Sequence, residues 1–123
     1  NLAKTIVVYG GEKADETQLN RIPSSVEVVK LPEANPKYLS KLLAEKGCNN
    51  VLWECGPKLA TAAMKEGCIQ EVITFIAPKI LGGSDAMTPL SDFNLTNMNE
   101  VITLEKQEIK LFKDDICIKT LVK

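Results

Sequence analysis

The residues best suited to chemistry lie in one stretch, Asn50-Val51-Leu52-Trp53-Glu54-Cys55-Gly56-Pro57-Lys58-Leu59-Ala60. Glu54 brings a carboxylate. Gly56-Pro57 then reads as a tight turn into a helix: glycine tolerates the turn, and proline suits the first helical position, where no N–H is needed. A helix starting there leaves the amides of Gly56, Lys58 and Leu59 without intrahelical acceptors, and its aligned peptide dipoles add partial positive charge. Such a start holds a phosphate or another anion. The stretch therefore offers a carboxylate next to an anion cradle, with the Lys58 ammonium expected in solvent but able to steady a phosphate. Its glycine spacing is not G-x-G-x-x-G, so the Rossmann fingerprint does not apply.

Composition removes other chemistries. The chain of 123 residues contains no histidine, which excludes Ser-His-Asp and Cys-His catalysis. Cys48, Cys55, Cys68 and Cys117 form no C-x-x-C pair, so a metal site is not expected. They read as buried or half-buried free thiols in a reducing compartment rather than a disulfide framework. A net charge of -1 gives no pull toward nucleic acid or membrane. Lys4, Lys106, Lys110, Lys113 and Lys119 are scattered along expected strands rather than gathered into a patch. No apolar run nears the roughly 20 residues of a membrane helix. Asn1-Leu2-Ala3-Lys4 runs straight into a strand with no signal peptide, so a cytoplasmic protein is expected.

Other elements must position the stretch. Thr5-Ile6-Val7-Val8-Tyr9, ended by Gly10-Gly11, predicts a central parallel strand buried on both faces. Asp15 is expected to cap a short helix over 16–22, stopped by Pro23. Residues 26–29 form the second strand, closed by Pro32. Asn35-Pro36 opens a helix in which Leu39, Leu42 and Leu43 share a face and which Gly47 ends. Residues 51–54 read as a short buried strand with Trp53 as packing, and Glu54 sits at its carboxyl end, where open α/β sheets hold ligands. The helix after Pro57 carries small residues for close packing and ends at Gly67. Residues 71–81 predict a long strand in which Pro78 marks a bulge, an edge or the strand's end. Gly82-Gly83 turns into a loop running through Asp92. From 101 to 122 the pattern alternates, as in a hairpin turning at Asp114-Asp115. The whole, β-α-β-α-β-α-β followed by β-β, is one α/β domain over 1–123.

This order and its central stretch resemble a known family. Trp53-Glu54-Cys55-Gly56-Pro57-Lys58-Leu59-Ala60, a helix, then Ile76-Ala77-Pro78-Lys79-Ile80-Leu81-Gly82-Gly83 is similar to the reductase domain of the bifunctional riboflavin-biosynthesis deaminase-reductase. The usual form there is a strand, Glu-(small)-Gly-Pro-x-Leu-Ala, a helix, and an Ala-Pro-x-(Leu/Ile)-Leu-Gly strand end. The resemblance extends along the whole chain. It implies a dihydrofolate-reductase-like, three-layer α/β sandwich, a mostly parallel sheet with antiparallel C-terminal strands, present here as a partial domain. It also implies an NADPH-dependent reduction of the ribose of 5-amino-6-(5-phosphoribosylamino)uracil to a ribityl chain.

By position, the resemblance makes Glu54 the substrate-binding glutamate. It makes Gly56, Pro57, Lys58, Leu59, Ala60, Thr61 and Ala62 the NADPH-binding turn and helix start, and puts Gly10 where the family contacts the adenosine part of the cofactor. No residue is assigned as a hydride-transfer acid, since the cofactor carries that chemistry. Cys55 departs from the glycine or alanine of many members; its thiol either crowds the nicotinamide or packs. The family's substrate-binding half precedes the equivalent of Thr5, so this chain is expected to be the carboxyl-terminal part of a reductase domain. Its sheet would then expose an edge unless a second copy or the missing piece covers it, and a homodimer is expected on that ground. The alternative is a truncated module that binds NADP or self-associates without catalysis. A dihydrofolate reductase relative is a third reading, against which Glu54 argues.

Overall fold

The computed structural model describes residues 3–11, 16–83 and 85–123. The chain divides into two compact units, Asn1–Leu52 and Trp53–Lys123. The first holds β1 (Ile6–Gly10), α1 (Glu16–Leu19), β2 (Glu27–Leu31) and α2 (Pro36–Glu45). Strand β1 pairs in parallel with β2, from Ile6 opposite Glu27 to Gly10 opposite Leu31.

The β-branched run makes β1 a strand as expected, yet all five residues are half-buried and β2 is its one ladder neighbour among the described residues. It is not central and not covered on both faces. A central place in a sheet needs a second flanking strand, and the one predicted over 51–54 does not form. Residues 51–56 have no regular secondary structure, and Leu52 is 82% exposed. A strand exists only through its hydrogen-bonded partner, so β propensity without an available ladder edge leaves the chain irregular. Helix α1 also stops short of residue 22. The Arg21 and Ile22 amides turn back on the Gln18 and Leu19 carbonyls, both at 3.1 Å, a tightening ahead of Pro23. Asp15, the expected cap, lies outside the described residues.

Helix α2 follows its local signals. The Asn35 side-chain oxygen accepts from the Tyr38 amide at 2.9 Å and Pro36 takes the first helical position. At the other end Gly47 adopts a φ of 86°. Its amide donates to the Ala44 carbonyl, and that of Cys48 to the Leu43 carbonyl, each at 2.9 Å. This is the Schellman closure that a left-handed glycine permits. It carries the Cys48 side chain into solvent, so this thiol is not half-buried as expected.

Gly10 is needed for a different reason. A Cβ there would fall inside van der Waals contact of the Glu33 and Ala34 backbone. Gly10→Ala is therefore expected to cost about 1–3 kcal/mol of stability through overpacking, read from the midpoint of urea unfolding. An unshifted midpoint would mean that the 33–34 turn moves aside freely.

The second unit contains α3 (Pro57–Lys65), β3 (Glu71–Ile76), a short 3-10 turn (Met98–Glu100), β4 (Leu104–Phe112) and β5 (Asp115–Val122). Its three strands form an antiparallel sheet with β5 in the middle. Pairing runs from Glu71–Leu121 to Ile76–Ile116 on one side. On the other it runs from Leu104–Val122 to Phe112–Asp115, with an irregularity between Lys106 and Glu108. Residues opposite one another share a face. One face therefore carries Val72, Ile76, Ile109, Leu111, Ile116 and Ile118. The other carries the Phe75–Phe112 ring pair at 6.1 Å and the Lys119–Glu71 ion pair at 2.7 Å. The hydrogen bond and charge of Glu71 hold the Lys119 ammonium above its usual pKa.

Strand β3 ends at Ile76, so the run expected to continue to residue 81 stops ahead of Pro78, which has no N–H for a ladder. Ile80 and Leu81 beyond it are 100% and 91% exposed. The hairpin turns at Lys113-Asp114, one residue before the predicted pair. Phe112 pairs with Asp115, and Lys113 takes the left-handed conformation at φ 58°. Among the described residues, no helix is long and apolar enough to cross a membrane.

Candidate functional site

The second unit builds its site where an irregular segment meets α3. Glu54, Cys55 and Gly56 lead into the helix without a strand. Gly56 is the N-cap, extended at φ -71° and ψ 167°, and supplies no side-chain cap. Pro57 follows at the first helical position, as its missing N–H allows. The first intrahelical bond is from the Ala60 amide to the Gly56 carbonyl, at 3.0 Å. The amides of Gly56, Lys58 and Leu59 have no acceptor among the described residues. A Cβ built on Gly56 meets nothing within 4 Å, so the space beside the cap residue itself is open. Helix α2 differs: Asn35 already occupies its start. The α3 start is thus an uncapped set of donors at the positive end of a helix dipole, the arrangement that binds anions.

Glu54 is exposed and has no hydrogen bond or ion pair among the described residues. Its charge is therefore available to a ligand rather than committed to the fold. Lys58 and Leu59 are exposed, Pro57, Ala60 and Ala62 are half-buried, and Trp53 and Cys55 are half-buried beside the turn. The structure thus brings Glu54 and residues 56–62 together on one short path. Gly10 belongs to the first unit, where its neighbours are the Glu33 and Ala34 backbone.

Thr61 departs from the expectation of a ligand contact. It is 5% exposed. Its hydroxyl oxygen accepts from the Ser91 amide at 2.8 Å, and its hydroxyl donates to the Ser91 carbonyl at 3.3 Å. A short, buried hydroxyl used in both directions is satisfied by the protein, so this side chain serves the loop at Ser91 rather than an open ligand site.

Two features escape a reading of the sequence. Ser91 has no motif around it and reaches α3 only through tertiary folding. In the first unit, an open cleft of about 550 Å³ is lined by Glu33, Asn35, Lys37, Tyr38 and Lys41. The four-residue spacing of the two lysines on a helix was its available signal.

Residues 1–118 match the family model described as RibD C-terminal domain. The riboflavin biosynthesis protein PYRR, chloroplastic, of Arabidopsis thaliana is 38% identical over 100 residues, covering 81% of this chain and 17% of that protein. The riboflavin biosynthesis protein RibD of Synechocystis is 34% identical over 105 residues, covering 85% of this chain and 28% of that protein. The solved structure of Acinetobacter baumannii RibD, form 2, superposes with a TM-score of 0.71 at 21% identity, over 98% of this chain and 38% of its own. That likeness carries the α/β fold, with its early parallel and late antiparallel strands. The chain spans less than a third of the length of either of these two curated relatives.

Proposed function

Because this chain belongs to the RibD C-terminal domain family, we propose that it is the cofactor-holding part of an NADPH-dependent reductase of riboflavin biosynthesis. The reaction is reduction of the ribose of 5-amino-6-(5-phosphoribosylamino)uracil to a ribityl chain. NADPH, when bound, supplies the hydride; the protein's work is to hold and orient. The amides of Gly56, Lys58 and Leu59 hold the diphosphate, Lys58 adds a mobile cation at the rim, and Glu54 binds a hydroxyl-bearing part of the substrate beside it.

One observation carries this reading: three donors at a helix start have no acceptor among the described residues, and a side chain on the Gly56 cap would meet nothing within 4 Å. The residues present fit a diphosphate, since unpaired amides and a glycine permit the close approach that an anion requires. Four free cysteines suit a reducing compartment such as the cytoplasm.

Fluorescence titration of the protein carrying this chain with NADPH tests the reading. Saturable binding is expected, followed by loss of NADPH absorbance when the pyrimidine ribose phosphate is added. A folded sample that binds no NADPH overturns it. Binding without turnover favours instead a module that holds NADP without catalysing. Homodimerisation completes the proposal. The outer strands β3 and β4 each leave an edge without a ladder partner among the described residues, and such edges recruit further strands. Sedimentation is expected to give a dimer at micromolar concentration; a stable monomer there removes this part.

A further inference from the structure

The α3 start lacks the side-chain cap that secures α2, and uncapped first turns fray. A frayed turn would scatter the donors that a diphosphate needs in one place. Something other than a cap must therefore hold residues 57–60 in helical form.

The segment after Leu90 is folded along α3 and supplies that hold. The Ser91 amide reaches two acceptors on the first turns of the helix, the Thr61 hydroxyl at 2.8 Å and the Pro57 carbonyl at 3.4 Å. The Ser91 carbonyl accepts the Thr61 hydroxyl in return. Farther along, the Lys65 ammonium lies over the Phe93 ring, 5.4 Å from its centre. Leu90 and Phe93 share an apolar groove with Met64. The Asn94 amide closes a tight turn on the Asp92 carboxylate at 2.7 Å, with Asn94 at φ 56°. The strap is thus anchored at both ends of the helix, and Thr61 is its polar anchor at the donor end.

Resting on the cofactor reading above, we infer that Thr61 is a positioning residue: its buried hydroxyl clamps Ser91 across the first turn of α3 and so holds the Gly56, Lys58 and Leu59 amides in register for the diphosphate. It touches no ligand. Removing the hydroxyl leaves the Ser91 carbonyl without its partner and the Ser91 amide with one weak acceptor, which releases the strap and the turn beneath it.

The test compares Thr61→Val, which keeps the shape and loses the hydroxyl, with Thr61→Ser, which keeps the hydroxyl, in the protein that carries this chain. Thr61→Val is expected to raise the KM for NADPH about tenfold, as for one lost hydrogen bond, with kcat within about twofold. Thr61→Ser is expected to restore the wild-type KM to within about threefold. Thr61→Ala serves beside Thr61→Val where valine disturbs folding, because alanine favours the helix and differs from serine only by the hydroxyl. An unchanged KM in the valine and alanine variants, or an equal rise in the serine variant, overturns the clamp and leaves the cofactor reading standing. Failure of the wild type to bind NADPH overturns both.

Discussion

Gly56→Asp is expected to make the fold more stable and the cofactor site useless. An aspartate at an N-cap accepts from the amides two and three residues on and places negative charge at the positive end of the helix. Gly56 lies at that cap in extended backbone, a conformation open to any residue, and a Cβ there meets nothing. The variant should gain about 0.3–1 kcal/mol, read as a higher urea midpoint. The same carboxylate would take the Lys58 and Leu59 amides from the diphosphate and repel its charge. Two charge-assisted hydrogen bonds lost in this way predict a Kd for NADPH raised about a thousandfold, or ~4 kcal/mol. The opposite signs make the result hard to mimic, since a merely damaged protein loses both stability and binding. Undiminished NADPH affinity in a folded Gly56→Asp variant would remove the amides from the site.

Glu54→Gln should separate substrate from cofactor. The carboxylate has no partner among the described residues, so its loss should move stability by no more than about 0.5 kcal/mol. NADPH affinity should also hold, because the diphosphate donors lie on the next turn of chain. A charged hydrogen bond to the sugar contributes about 1.5–3 kcal/mol, so kcat/KM for the pyrimidine substrate is expected to fall about a hundredfold. Steady-state kinetics with NADPH saturating checks this. Kinetics equal to wild type would leave Glu54 an ordinary surface residue.

These two variants and Gly10→Ala probe three glycine or carboxylate positions that look alike in sequence. Gly10 and Gly56 both end a segment next to a candidate ligand region. The structure separates them: a side chain on Gly10 collides with the Glu33 and Ala34 backbone, and one on Gly56 collides with nothing. The first glycine serves packing and the second leaves room. Only coordinates for residues distant in the chain make that distinction, because the contact at Gly10 is with a turn more than twenty positions away.

Much of the local architecture was nonetheless legible. Asn35-Pro36 begins α2, Gly56-Pro57 begins α3, and Gly47 and Gly67 end them at φ 86° and 69°. Each signal acts over a few residues, through a cap, a ring or a left-handed glycine, so chemistry and consequence lie within the same short window. The free amides of the anion cradle belong to this class, since the first turn of any helix leaves them unpaired.

What lay beyond the sequence depended on partners. Residues 51–54 have the composition of a strand but no ladder neighbour, and so remain irregular. Thr61 sits inside the predicted cofactor segment, yet its hydroxyl is committed to Ser91, 30 residues on. The amino-acid order by itself settled where helices start and stop and where donors stand bare, because those bonds close within a turn or two. The tertiary structure alone decided which apolar runs became strands and which polar side chains remained available, because hydrogen-bond partners there come from distant chain and each can be used only once.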